Sequence, residues 1–308
     1  MARQPTLKQL KYLTALAEHA HFGNAARACH VSQSTLSAAV LELEDTLGSA
    51  LVERNNRQLI LTALGQDVVQ RGRNILMEVD DLVAVCEASA EPFTGKMRFG
   101  VIPTIAPYTL PHLLKRLRRK YPDFQLFIRE ELSANLVAAL QQGELDVLLL
   151  ALPYPADNVE TMHLYDDEFL FACPRDHALA SARRVCTADL RQQDLLLLED
   201  GHCLRDHALE ACKLSDSELS IAYQATSLNT IVQMVANGIG VTLLPKMALD
   251  AKILSGTEVI TRQFREHNVA RSIGLMWRRK TPRRAEFHLL GEFIRGAGNR
   301  SPANNLRP

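Results

Sequence analysis

Cys203 and Cys212 stand nine positions apart in the segment His202-Cys203-Leu204-Arg205-Asp206-His207-Ala208-Leu209-Glu210-Ala211-Cys212. A thiol with histidines and an arginine close by can be held as a thiolate, the reactive form of cysteine. A second thiol that comes within reach only after a local rearrangement would turn oxidation into a change of shape. If Leu204 to Cys212 is helical, Cys203 sits at the positive end of the helix dipole, with His202 and Arg205 adding positive charge or donors. Nine residues of helix span roughly 13 Å at 1.5 Å per residue. A disulfide needs Cα atoms within about 7 Å. Bond and intact helix are therefore mutually exclusive, and oxidation has to unwind the segment.

Blander readings stand beside this one. Two cysteines at such a spacing are often unpaired core residues. A zinc set of His202, Cys203, His207 and Cys212 is conceivable, although the spacing is unlike the usual paired-ligand patterns, and no metal or other cofactor is expected. Of the six cysteines, at 29, 86, 173, 186, 203 and 212, the first two lie on apolar helical faces and read as packing residues, and Cys173 and Cys186 read as structural.

The elements that must carry these residues divide into two halves. Residues 1–62 read as a compact helical unit with a winged helix-turn-helix. Leu7, Leu10, Leu13 and Leu16 follow helical spacing, and Asn24 is expected to cap a short helix through Cys29. Ser32 is expected to cap a second helix, with Leu36, Val40 and Leu43 on its buried face. Leu51 to Leu61 reads as a hairpin whose polar tip carries Arg54 and Arg57. Residues 63–91 form one long helical pattern, with Val68, Ile75, Val79, Leu82 and Cys86 as an apolar seam for a second helix. A lone exposed helix of this length is unstable in water, so self-association is the natural use.

Glu91 to Gly95 reads as a linker, and residues 96–298 alternate strands and helices. The first five elements, from Met97 to Ala151, predict a βαβαβ unit with a parallel sheet. A second group of short strands and helices begins near Leu164. The expected architecture is two α/β lobes with a cleft between them, where small ligands bind, followed by a polar tail at 299–308.

Composition constrains the partners. Charge balances at 35 basic against 35 acidic residues, so no global field marks a nucleic-acid binder. Residues 1–65 hold six basic and five acidic residues, so a single helix-turn-helix unit is nearly neutral and two or more copies would have to grip DNA together. No apolar run is long enough to span a bilayer and no leader pattern opens the chain, so a cytoplasmic protein with reduced thiols is expected.

Ala25-Ala26-Arg27, Val31-Ser32-Gln33-Ser34-Thr35-Leu36-Ser37, Leu43-Glu44, Leu47-Gly48, Leu51-Val52-Glu53-Arg54, Leu61-Thr62 and Gly65 together resemble the DNA-binding domain of LysR-type transcriptional regulators. The α/β half, with its Ser227 to Pro245 stretch, is similar to that family's effector domain. Within the family, Gly201-His202-Cys203-Leu204-Arg205-Asp206 with Cys212 resembles the redox centre of the hydrogen peroxide sensors.

The resemblance implies that Cys203 is the peroxidatic thiol and Cys212 the resolving one. It implies a peroxide pocket of Thr104, Ser133, His202 and Asp206, with Arg205 and Arg271 nearby. Ser133 replaces the threonine usual at its position. Ser32, Gln33, Ser34, Thr35 and Ser37 would present the recognition helix to promoter DNA, with Arg54 and Arg57 on the wing. Leu41 and Glu42 stand where relatives often carry a basic residue. Implied partners are double-stranded DNA, RNA polymerase, a glutaredoxin- or thioredoxin-type reductant and further copies of the chain, up to a homotetramer. The chief alternative is a family member that binds a small metabolite in the cleft, its thiols incidental. A thiol peroxidase is a third reading, against which the DNA-binding half argues.

Overall fold

The structure is a computed structural model and describes residues 4–54, 59–88, 92–214 and 224–298. The chain divides into two compact units, Met1–Ser89 and Ala90–Pro308.

In the first unit, helix α1 (Leu7–His19) starts from a capping box in which Thr6 and Gln9 satisfy each other's backbone N–H groups at 3.3 and 2.9 Å. Helix α2 (Phe22–Ala28) begins three residues earlier than the asparagine cap predicts. Its cap is the ring nitrogen of His21, which accepts from Gly23 N at 3.0 Å, and Asn24 becomes a partner of the Arg27 guanidinium instead. Helix α3 (Gln33–Leu47) is capped by Ser32, whose hydroxyl accepts from Thr35 N at 3.1 Å. Strands β1 (Val52–Arg54) and β2 (Leu59–Leu61) pair antiparallel, Val52 opposite Leu61, as the expected wing. Its tip, including Arg57, lies outside the described residues.

Helix α4 (Ala63–Ala88) follows, and its early Gly65 is required by packing, since a Cβ there would lie 2.1 Å from the Leu51 carbonyl oxygen. Leu13, Leu16, Leu36, Val40, Leu43 and Leu51 form the fully buried centre of this unit. On α4, Val69 turns into that core, whereas Ile75 and Leu82 are 45% and 66% exposed. Two of the five predicted seam residues therefore have no cover within their own unit.

The second unit opens as predicted, with β3 (Lys96–Val101), α5 (Ala106–Lys120), β4 (Gln125–Glu130), α6 (Ser133–Gln141) and β5 (Val147–Leu152). Strand β3 pairs in parallel with both β4 and β5. Then comes a departure: β6 (Val159–Pro174) is one strand of 16 residues, where the sequence reading has short strands from Leu164. The acidic run Asp166-Asp167-Glu168 interrupts its apolar pattern, which hides its continuity.

The remaining elements are β7 (Arg184–Val185), β8 (Leu197–Leu198), α7 (Cys203–Cys212), β9 (Gln224–Ala225), α8 (Leu228–Ala236), β10 (Thr242–Pro245), α9 (Lys246–Asp250), β11 (Val259–Phe264), β12 (Ala270–Arg278) and α10 (Arg284–Gly298). The main sheet runs β4-β3-β5-β12-β6-β11-β7, with β10 also on β6. It is mixed and not purely parallel, because β12 runs antiparallel to both β5 and β6. The first half of β6 pairs with β12 and the second half with β10 and β11, so this strand joins the two lobes. Each lobe has its own core. Phe99, Leu136, Leu149, Ile273 and Phe287 belong to one, and Phe171, Leu195, Ile231, Val235 and Leu244 to the other.

Candidate functional site

The site gathers at the carboxyl ends of the parallel strands, where open α/β sheets place their ligands. Thr104 lies in the turn after β3, and Ser133 is the first residue of α6, just after β4. Arg271, near the start of β12, sits directly opposite Asp167 on β6. Its side chain is fully buried, and the guanidinium is held on several sides. Nε donates to Asp167 Oδ2 at 3.1 Å, Nη1 to Thr104 Oγ1 at 2.9 Å and Nη2 to the Thr104 carbonyl at 3.0 Å. Asp167 also accepts from Met247 N at 3.0 Å. Burial pushes the Asp167 carboxyl up, against the pull of Arg271 and the Met247 N–H. Since Thr104 Oγ1 accepts from Arg271, its own O–H proton is left to be donated elsewhere.

Cys203 is buried as the first residue of α7, beside this cluster. Burial alone would push its thiol up. Hydrogen bonding from His207 and Ser133, together with the positive charge of Arg271 and His207, outweighs it and brings the thiol below its ordinary value. His207, one helical turn further on, moves the other way. Burial disfavours its charge, but the Cys203 sulfur and the carbonyls of Cys203 and Pro153 raise it overall. Ser133 Oγ and His207 Nδ1 are both buried without a hydrogen bond of full geometry. Their interactions with sulfur therefore fall short of full hydrogen-bond geometry, and a small polar molecule between them would complete both.

Other predicted site residues lie differently. His202 precedes α7 but makes no side-chain cap, and burial lowers its pKa, opposed by Glu199, so it supplies little positive charge. Arg205 pairs with Asp200, and Asp206 is exposed to solvent. Cys212 closes α7 at its far end, buried in the second core, and burial followed by the negative charge of Glu266 pushes its thiol up to about 12. The zinc set does not assemble: among the described residues no three histidine, cysteine or acidic side chains gather as metal ligands. His207, outside the predicted pocket, is the addition, and its i, i+4 spacing from Cys203 was the available signal. Beside it opens a cavity of about 650 Å³ lined by Pro153, His207, Glu210, Glu266 and Arg271 among others.

Residues 7–66 match the bacterial regulatory helix-turn-helix protein, lysR family, and residues 90–299 match the LysR substrate binding domain. The chain belongs to the LysR family. Across nearly its whole length it is similar to curated members. A probable hydrogen peroxide-inducible genes activator of Streptomyces viridosporus is 40% identical over 99% of this chain and 98% of the relative. The regulator EstR of Acinetobacter baylyi is 38% identical over 96% and 98%. Among solved structures, a full-length OxyR variant from Pseudomonas aeruginosa superposes with a TM-score of 0.77 at 35% identity, covering 95% of this chain and 98% of that one.

As in any LysR protein, the helix-turn-helix unit carries the DNA-facing surface. Ser32, Gln33, Ser34 and Thr35 are exposed at the start of α3, and Ser37 is half-buried. The Ser32 hydroxyl is occupied, bonding Thr35 N and lying 2.9 and 2.7 Å from the Ser34 and Thr35 hydroxyls. It shapes the helix start, which leaves Gln33 the longest exposed side chain there. Arg54 ends β1, and only its backbone is described. Among the described residues no helix is long and apolar enough to cross a membrane.

Proposed function

We propose that the protein is a hydrogen peroxide-responsive LysR regulator switched by a reversible disulfide between Cys203 and Cys212. The observation that carries this reading is the placement of Cys203. It is a buried thiol with a depressed pKa, at the start of a helix that holds the second thiol at its other end. Thr104, Ser133 and Arg271 supply the hydroxyl and cationic groups that hold a peroxide in line with sulfur. Attack of the Cys203 thiolate on one peroxide oxygen breaks the O–O bond and leaves a sulfenic acid and hydroxide. The Cys212 thiol then displaces water from that sulfenic acid to form the disulfide. A cellular dithiol of glutaredoxin or thioredoxin type returns both sulfurs to thiols.

The output is a changed grip on promoter DNA by a homo-oligomer, up to a tetramer, with altered contact to RNA polymerase. Exposed Ile75 and Leu82 on α4 suit a helix from a second copy. The cavity beside α7 supports a second reading, a metabolite-binding regulator with incidental thiols.

Peroxide titration separates the two. The redox reading expects loss of two free thiols per chain and a shifted footprint on the protein's own promoter. Both effects should be absent in Cys203→Ser. A footprint that shifts alike in wild type and Cys203→Ser would overturn it. Turnover of many equivalents of peroxide with a reductant would point to a peroxidase instead.

A further inference from the structure

The mechanism above leaves hydroxide behind in a buried site and names no group to neutralise it. His207 is the group the structure offers. It is one turn along α7 from Cys203, on the same helix face, and it is half-buried at the wall of the cavity beside α7. Its ring lies against the Cys203 sulfur and the Pro153 carbonyl, and its buried Nδ1 lacks a fully formed hydrogen bond. Imperfectly formed contacts of this kind are the ones that tighten when substrate arrives.

We propose that His207 forms an imidazolium–thiolate pair with Cys203 and delivers its proton to the hydroxide released from peroxide. The step balances. The sulfur of Cys203 takes one oxygen as Cys–SOH, and the O–O bond breaks. The departing oxygen takes the ring proton and leaves as water, and the imidazole becomes neutral. The proposal rests on the peroxide reading of Cys203 and deepens it.

The electrostatic setting supports the pair. The Cys203 thiol is lowered in part by His207 and the His207 ring is raised by Cys203, the two directions that favour the ion pair over the neutral pair. Arg271 of β12 adds positive charge near the sulfur, and Tyr154, on the connection after β5, is pushed up by its own burial and then by the negative charges of Cys203 and Asp206. Across the cavity from His207 stand Asp166 and Glu168 of β6, Arg184 of β7, and Glu266 and His267 before β12, with Glu210 on α7 itself. Acidic groups outnumber basic ones on these walls, which favours the protonated ring. Proton delivery then operates between the lowered thiol pKa and the raised imidazole pKa. The rate of peroxide oxidation should rise with pH through the first and fall through the second.

Two measurements on the full-length protein test this. Stopped-flow oxidation of Cys203 by hydrogen peroxide, followed across pH, should give a bell-shaped profile in wild type. His207→Gln, which keeps a donor but no titratable charge, should lose the alkaline limb and react on the order of tenfold more slowly near neutral pH. Independently, the His207 ring signal in NMR should titrate at lower pH in Cys203→Ser than in wild type, because the negative partner is gone. This second measurement needs no His207 variant to fold. An unchanged profile in folded His207→Gln, or an unchanged His207 midpoint in Cys203→Ser, would overturn the proposal. Failure of wild type to form the disulfide with peroxide would instead overturn the reading beneath it, whatever His207 does.

Discussion

Cys203 and Cys212 occupy opposite ends of one ten-residue helix, and each is buried in a different hydrophobic core of the regulatory unit. Their Cα atoms are separated by roughly 13 Å of helical rise, about twice what a disulfide tolerates. Joining them requires α7 to unwind and Cys212 to leave the second core, where Leu204, Ala208 and Leu209 of the same helix are also packed. The reduced state is thus held by ordinary apolar burial. The oxidised state must be held by the covalent bond.

The first expectation follows directly. Peroxide treatment of wild type should remove about one ten-residue helix of signal from the far-ultraviolet circular dichroism, and raise hydrogen exchange across residues 203–212. Cys212→Ser should stop at a sulfenic acid, trapped by a dimedone-type reagent, with helix content unchanged. Full retention of the helix in disulfide-bonded protein would contradict the switch.

Ser133 tests whether the pocket is built for a ligand or for stability. Its hydroxyl is buried with no partner of full geometry, a state that normally costs 1–3 kcal/mol. Ser133→Ala should therefore leave urea-denaturation stability unchanged or raise it by up to about 1 kcal/mol. The same variant should react with peroxide on the order of tenfold more slowly, because a donor to the peroxide is lost. A clear loss of stability would assign the hydroxyl to the fold.

Arg271 and Asp167 form a pair that is buried on both sides. Removing the arginine alone leaves a carboxylate stranded in the interior, and Arg271→Ala should cost about 3–5 kcal/mol in denaturation experiments. Replacing both partners, Arg271→Met with Asp167→Leu, should recover most of that stability. It should not recover reactivity, since Thr104 would lose its guanidinium partner and Cys203 a nearby positive charge. Recovery of fast peroxide oxidation in the double variant would show that the pair serves only to join β6 and β12.

How much of this was legible in the sequence depends on the range of the interaction involved. The helix holding Cys203 and Cys212, the cap at Ser32 and the βαβαβ start are local patterns, and they appear where the residues predict them. Thr104, Ser133 and Arg271 could be proposed only by resemblance, because nothing near them in the chain records that β3, α6 and β12 converge. Asp167 was missed altogether. It sits in an acidic run that interrupts the apolar pattern of β6, and only the opposing Arg271, more than a hundred residues away, makes its burial tolerable. His202, Arg205 and Asp206 look equivalent beside Cys203 in sequence. Helical geometry separates them, sending Arg205 to Asp200, Asp206 to solvent and His207 back toward the sulfur.

The Cys212 thiol gives a stability signature in alkaline solution. Its ordinary pKa of 9.0 is pushed up to about 12 in the fold. A folded pKa above the unfolded one means the folded chain holds its proton longer. The contribution is complete below pH 9 and is lost as pH rises from about 9 toward 12, where the unfolded chain ionises first. Melting experiments should show wild type losing stability over that interval more steeply than Cys212→Ala. Parallel curves would mean that Cys212 ionises as freely in the fold as out of it.

At the DNA-facing surface, two adjacent residues should separate helix formation from recognition. Ser32→Ala removes the cap on Thr35 N and should lower the stability of the helix-turn-helix unit by about 1 kcal/mol. Gln33→Ala removes an exposed side chain at the start of α3, the end proposed to enter the groove, and should leave the melting temperature unchanged. Its effect should appear in binding, as a loss of about 1–3 kcal/mol on the cognate promoter with little change on unrelated DNA. Fluorescence anisotropy on both duplexes at fixed salt reads the difference. Equal weakening on both sequences would assign Gln33 to the phosphate backbone and move base reading to its neighbours Ser34 and Ser37.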